Sequence, residues 1–313
     1  MNDLTLLWIC FNAFVLLMLA LDLGVFHRKS HEVSVKEALT WTGVWIVLAL
    51  LFNLFVFHYF DKDKAIEFFT AYLIEKSLSV DNIFVIIMIF AYFDVPRIFQ
   101  HKVLFWGVLG ALVMRVIFIF AGVELIHRFH WLIYIFGGFL IFTGIRMLIG
   151  SNEKINPENN FLIKLARRSF RVTPAFHQDR FFVKIDGLTW ATPLFLVVIM
   201  IEATDLIFAV DSIPAILAIS DDPFIVYTSN VFAILGLRSL YFALSGIESY
   251  FRYLKYGLAT ILAFVGAKMC LMDFVKIPVE ISLIIIAFIL GISMLASMVI
   301  SKSQENSTDR TVR

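Results

Sequence analysis

Nine times in 313 residues the chain stays apolar for about the length that crosses a bilayer, roughly 20 residues. The runs are 4–26, 39–60, 66–92, 103–123, 130–149, 190–218, 224–246, 255–273 and 279–300. With 60% hydrophobic and 16% charged residues and a mean hydropathy of +0.88, the chain is far more apolar than a soluble domain, where about half the residues are apolar. Inside lipid every backbone polar group must be satisfied within its own segment, so runs of this length can only be helices. The expectation is an all-α polytopic membrane protein of about nine transmembrane helices, with no separate soluble domain. The first run follows Asn2 and Asp3 rather than basic residues and precedes no small-x-small site, so it reads as a span and not as a cleaved signal.

Charge sets the expected orientation. With the N-terminus outside, the cytoplasmic segments carry 18 Lys and Arg residues and the outer ones four, Lys62, Lys64, Arg128 and Lys276. That is the positive-inside pattern, and it predicts N-out, C-in. The net charge of +1 gives no reason to expect nucleic acid, and the basic run 164–171 reads as topogenic. Cys10 and Cys270 lie within spans, in no metal or redox motif. The one long hydrophilic stretch, 150–189, divides into a polar linker, a short amphipathic segment "FLIKLARRSFRV", and a hairpin turning at Asp186-Gly187.

That stretch separates two similar halves. "YIFGGFLIFTGIRML" (134–148) matches "YGLATILAFVGAKMC" (256–270), and "VLGALVMRVIF" (108–118) matches "VFAILGLRSLY" (231–241) through Arg115 and Arg238. The predicted organisation is two N-terminal helices (1–65), a three-helix repeat (66–149), the cytoplasmic loop (150–189), a second repeat (190–273), and a last helix with a tail (274–313). An odd number of spans per unit inverts the second copy, the usual architecture of secondary transporters.

Both halves place acids in lipid. "IEKSLSVDNIF" (74–84) holds Glu75 and Asp81; "ATDLIFAVDSIP" (203–214) holds Asp205 and Asp211, with Glu202 just before it. Charged groups near the bilayer centre cost about 2.5–3.5 kcal/mol each on an insertion scale, so these must face inward and be compensated. The cations available in the spans are Lys76, Arg115, Arg238 and Lys268; static pairing with the two arginines is one solution, and a bound metal or protons are others. Asn82, Ser79 and Ser212 add neutral oxygen ligands. Six residues rotate a helix by about 600°, so Glu75 shares a face with Ser79 and Asn82 but not with Asp81. For Asp205 and Asp211 to meet one ion, either a second helix completes the site or their own helix breaks. Pro214 suggests such a break, since it cannot donate to the carbonyl of Val210. Asp22, near the end of the first span, is a further candidate as a gate or transfer ligand. Carboxylate, amide, hydroxyl and carbonyl oxygens suit Mg²⁺, Ca²⁺ or Mn²⁺ rather than thiophilic metals.

At "EKSLSVDNIFV" (75–85), "EATDLIFAVDSIPA" (202–215), "SNVFAILGLRSLYF" (229–242) and "LKYGLATILAFVGAKM" (254–269) the chain resembles the TerC family of membrane proteins, and within it the nine-span Alx-like branch. The resemblance implies a bacterial inner-membrane protein related to LysE-type exporters, linked to tellurium resistance and to Mn²⁺ export. Its important acids fall on Glu75, Asp81, Glu202, Asp205 and Asp211. The expected function is therefore divalent metal export, manganese first, by alternating access and with proton coupling. Mn²⁺ would be the transported ion, no prosthetic group is expected, and the lipid bilayer is the other partner. The alternative is an accessory factor in membrane-protein assembly or metal stress. No protease or other intramembrane enzyme signature is present, so an enzyme is not expected.

Overall fold

The computed structural model describes residues 3–21, 34–129, 131–149, 164, 168, 170–245, 254–275 and 277–311. In these the chain is mostly helical, with one hairpin preceded by a non-helical stretch at 170–181 whose Val172 bridges to Ala191. The helices are α1 (Asp3–Leu21), α2 (Val35–Tyr59), α3 (Lys62–Tyr92), α4 (Arg97–Arg128), α5 (Leu132–Ile149), α6 (Pro193–Leu217), α7 (Pro223–Leu235), α8 (Leu237–Leu244), α9 (Leu254–Leu271) and α10 (Val279–Thr311). Their starts carry the expected chemistry. Ser34 accepts from the Glu37 N–H and Asp61 from the Lys64 N–H, while Pro193 and Pro223 open α6 and α7, where a missing N–H costs nothing.

Among the described residues six helices are long and apolar enough to cross a membrane: α2, α4, α5, α6, the α7–α8 pair and the first part of α10. Helices α1 and α9 are apolar but shorter in that respect, and α3, with 31 residues, carries the charges of the first acidic stretch. Phe142 and Leu16 are more than 60% exposed and Phe288 is 67% exposed. An apolar rim of this extent belongs in lipid, not water.

The α7–α8 span is the centre of the bundle, and nearly all of it is buried. It packs on α2, α3 and α4. Phe224, Tyr227 and Phe232 interlock there with Trp8, Phe11 and Phe52 from α1 and α2 in tilted and edge-to-face contacts. Helices α5 and α9 form a second, closely packed pair. A Cβ on Gly144 would lie 2.6 Å from the Ala259 carbonyl oxygen, and one on Gly266 would lie 2.6 Å from that of Gly137. Residue numbers therefore run in opposite directions along the contact, and the two helices are antiparallel. Small residues let the backbones approach this closely.

The hairpin is present as expected. Strands β1 (Phe182–Ile185) and β2 (Leu188–Ala191) pair antiparallel, Phe182 opposite Ala191. The turn residues Asp186 and Gly187 have φ of 52° and 77°, both in the left-handed region, as a two-residue hairpin matching the strand twist requires. The hairpin is tied to the helices by Phe182 against Phe195 and, just before it, by Lys102 to Asp179 (3.0 Å). The amphipathic segment read at 161–172 lies mostly outside the described residues.

One expectation is corrected. Helix α6 does not break at Pro214: it runs on to Leu217, with the Ala218 N–H donating to the Pro214 carbonyl (3.0 Å). The proline removes one hydrogen bond, and packing against α3 and α4 holds the segment in line. The interruption lies one helix later, at Gly236 (φ −81°, ψ −1°), between α7 and α8. A side chain there would meet Lys76 Nζ at 2.6 Å and Trp45 Cβ at 3.3 Å, so the glycine makes the seat in which Lys76 donates to the Ala233 carbonyl (3.3 Å).

Candidate functional site

The two acidic stretches are the midsections of α3 and α6, and these helices pack on each other, with α4 also against α6. Helical periodicity decides which residues meet. Residues seven apart rotate by about 700° and return to one face. Glu75, Ser79 and Asn82 form such a face on α3, 0%, 1% and 6% exposed. Asp205 and Ser212 form the matching face on α6.

Arg115 of α4 enters between them. Its Nη1 donates to Glu75 Oε1 and to Ser212 Oγ (2.8 Å), and its Nη2 lies 3.4 Å from Asp205 Oδ1. The guanidinium and Glu75 are fully enclosed and Asp205 nearly so. Buried charges persist only when paired and hydrogen-bonded, and this arrangement meets that demand in part. Among the described residues, Glu75 Oε2, Asp205 Oδ2 and Arg115 Nε are buried with no hydrogen-bond partner. Asp205 also lines a small, mostly apolar cavity of about 20 Å³, with Asn82 and Thr204 as its other polar residues and apolar residues of α3, α4, α6 and α8 around them. That volume admits about one water-sized occupant. The combination is a buried pair of carboxylates, each with one unpartnered oxygen among the described residues, and a small space that reaches Asp205.

Glu202, one turn before Asp205, faces α4. Its carboxylate fills the space where Gly110 has no side chain, and its Oε2 is buried without a partner among the described residues. Gly107 supports the same contact, with Ile201 Cγ2 3.1 Å from where a Cβ would stand. The sequence reading missed Gly110, although Gly107 and Ala111 beside it form a small-xxx-small pair, a recognisable sign of close helix packing.

The structure thus brings together Glu75, Asn82, Asp205 and Ser212, places Ser79 on the same face and Glu202 beside it, and promotes Arg115 from a neighbouring cation to the centre. Arg238, at the matching place of the second half, is 6% exposed on α8. Val210, expected to lend its carbonyl at a helix break, is part of an unbroken helix with its side chain 45% exposed. Lys268, another of the span cations, is 9% exposed. Asp81 and Asp211 are described only in their backbone, within α3 and α6, and Asp22 lies outside the described residues. Among the described residues no three His, Cys, Asp or Glu side chains gather as a ready-made metal site.

The family model for the integral membrane protein TerC family matches residues 60–305. The chain belongs to the TerC family. Its relatives there include the uncharacterized membrane protein STKORF319 of Myxococcus xanthus, 54% identical over 96% of this chain and 94% of the relative. Alx of Escherichia coli (strain K12), proposed as a membrane-bound redox modulator, is 48% identical over 89% of each chain. An uncharacterized membrane protein of Rickettsia bellii is 42% identical over 97% of this chain and 99% of its own. No solved structure matches. The TerC match begins just before α3 and spans both acidic stretches, so the Arg115 cage lies wholly within the family region.

Proposed function

We propose that this TerC-family protein exports a divalent metal cation, manganese first, by alternating access of two inverted three-helix units around the carboxylates of α3 and α6. The observation that carries the reading is the convergence of Glu75 and Asp205, from corresponding places in the two halves, on one enclosed point, with a small cavity reaching Asp205. Oxygen ligands alone select a hard divalent ion; manganese in particular comes from the family resemblance. Glu75, Asp205, Asp81 and Asp211 would bind the ion, assisted by Asn82 and Ser212. Glu202, seated against Gly110, would ligate it or carry the exchanged proton, since ligand protonation and metal binding compete.

The α5–α9 contact supports the inverted repeat. Aligning Tyr134 with Tyr256 pairs Gly144 with Gly266 and Gly137 with Ala259. Exchanging the halves then turns the Gly144–Ala259 contact into the Gly266–Gly137 contact. An antiparallel pair that maps onto itself in this way is what a two-fold axis in the membrane plane produces. With α1, α3 and α9 counted as spans, nine helices cross the bilayer, the N-terminus outside and the C-terminus in the cytoplasm of a bacterial inner membrane. An exporter of this kind would alter redox state through the metal; its cysteines, Cys10 and Cys270, are free and on different helices.

Cells lacking the protein are expected to accumulate manganese, measured against zinc, iron, cobalt and magnesium; an unchanged manganese content would sink the reading. In inside-out vesicles Asp205→Asn and Asp211→Asn should each lower export by about tenfold or more with normal expression, a loss of about 1.4 kcal/mol or more in the transport barrier. Gly110→Ala should fold, since only the end of the flexible Glu202 side chain has to yield. It should nevertheless lower export as far as Glu202→Gln does. The double variant should be no worse than either, because both act on one carboxylate; additive losses would show that the seat is unrelated to Glu202.

A further inference from the structure

We propose that Arg115 is a built-in substitute for the cargo, a tethered cation that holds the carboxylate cage when the metal is absent and must leave it when the metal arrives. The inference rests on the metal-export reading and deepens it.

Charge requires something of the kind. The cage is enclosed, with Arg115 and Glu75 at 1% and 0% exposure, and enclosed carboxylates cannot stand ionised without a positive partner. A carrier that returns with neither metal nor protons on these two acids therefore needs a cation of its own. The geometry marks Arg115 as a releasable one. The strongest guanidinium–carboxylate pairs are frequently bidentate, with two parallel hydrogen bonds. Arg115 instead divides itself among Glu75, Asp205 and Ser212, reaching Asp205 only at 3.4 Å. One oxygen of each carboxylate and its own Nε are left without a partner among the described residues. Those unused oxygens are what an incoming ion would take, and the cavity at Asn82 and Asp205 is where it could first sit.

A divalent ion and a guanidinium cannot share these oxygens, because like charges a few ångströms apart repel strongly in a low-dielectric interior. Binding of one expels the other. Since the acids are on α3 and α6 and the arginine on α4, expulsion displaces a side chain of α4 relative to the other two helices, and that is how occupancy would be transmitted to the bundle. Return of Arg115 would in turn release the metal.

The test compares the full-length wild type with Arg115→Gln and Arg115→Lys, purified and reconstituted, using Mn²⁺ as the probe. With its internal competitor removed, Arg115→Gln should bind Mn²⁺ about tenfold more tightly. Exchange of labelled for unlabelled Mn²⁺ across the vesicle should persist, because the loaded form still reorients. Net export should collapse, because the empty form does not. Arg115→Lys, which keeps the charge but cannot span both acids, should fall between wild type and Arg115→Gln in affinity, and it decides the matter if Arg115→Gln does not fold. Equal or weaker Mn²⁺ binding in both variants, or exchange and net export falling together, would overturn the proposal and leave a purely structural arginine. A wild type that binds no Mn²⁺ would instead remove the export reading, and this inference with it.

Discussion

Glu75→Gln is expected to lower folding stability by about 3–5 kcal/mol, the cost of leaving a buried charge without its partner. Glu75 is 0% exposed and accepts the closest of the Arg115 hydrogen bonds. An amide can fill its volume but cannot neutralise the guanidinium. In detergent the unfolding midpoint should drop well below that of wild type. The double variant Glu75→Gln/Arg115→Gln should lose clearly less than the sum of the two single losses, since the second change removes the charge that the first stranded. Asp205→Asn should be milder, because Asp205 is 3.4 Å from Arg115 and its side chain is 12% exposed. A Glu75→Gln protein as stable as wild type would mean that the Arg115 cage contributes nothing to the fold.

Gly266→Leu should also be damaging, by another route. Its Cβ would lie 2.6 Å from the Gly137 carbonyl oxygen and 2.9 Å from the Ile141 amide nitrogen. These are backbone atoms of a packed helix, which cannot turn aside as a side chain can. Overpacking of this kind costs about 1–3 kcal/mol, occasionally more, and here α5 and α9 must separate along their length. Monodisperse protein in detergent should be largely lost. Gly138→Leu, next to Gly137 but with nothing within 4 Å of its Cβ, should behave as wild type. Equal tolerance of the two substitutions would remove the close α5–α9 contact from the account of stability.

Much of the site was readable before the structure. Acids in apolar runs have to turn inward, and the helical repeat puts Glu75, Ser79 and Asn82 on one face, as they are found. Among the described residues the spacing that builds the cage is seven, Asp205 to Ser212, with Arg115 reaching both. Pro214 was misread because a missing N–H marks where a helix can break and not whether neighbouring helices hold it straight. The interruption falls instead at Gly236, where Lys76 of α3 donates to the Ala233 carbonyl.

The sequence alone determined that this is a helical membrane protein and which helix faces are polar. Both follow from local chemistry: the length of apolar runs, the cost of charge in lipid, and the period of the α-helix. Which cation compensates the acids was decided only in three dimensions. Along the chain Arg115 and Arg238 were both candidates for pairing, beside Lys76 and Lys268. Packing α4 against α6, with Glu202 seated at Gly110, carries Arg115 into the cage, while α7 and α8 capture Lys76 elsewhere. Ion pairing between residues 40 and 90 positions apart depends on how helices cross, and no periodicity within a single helix encodes that.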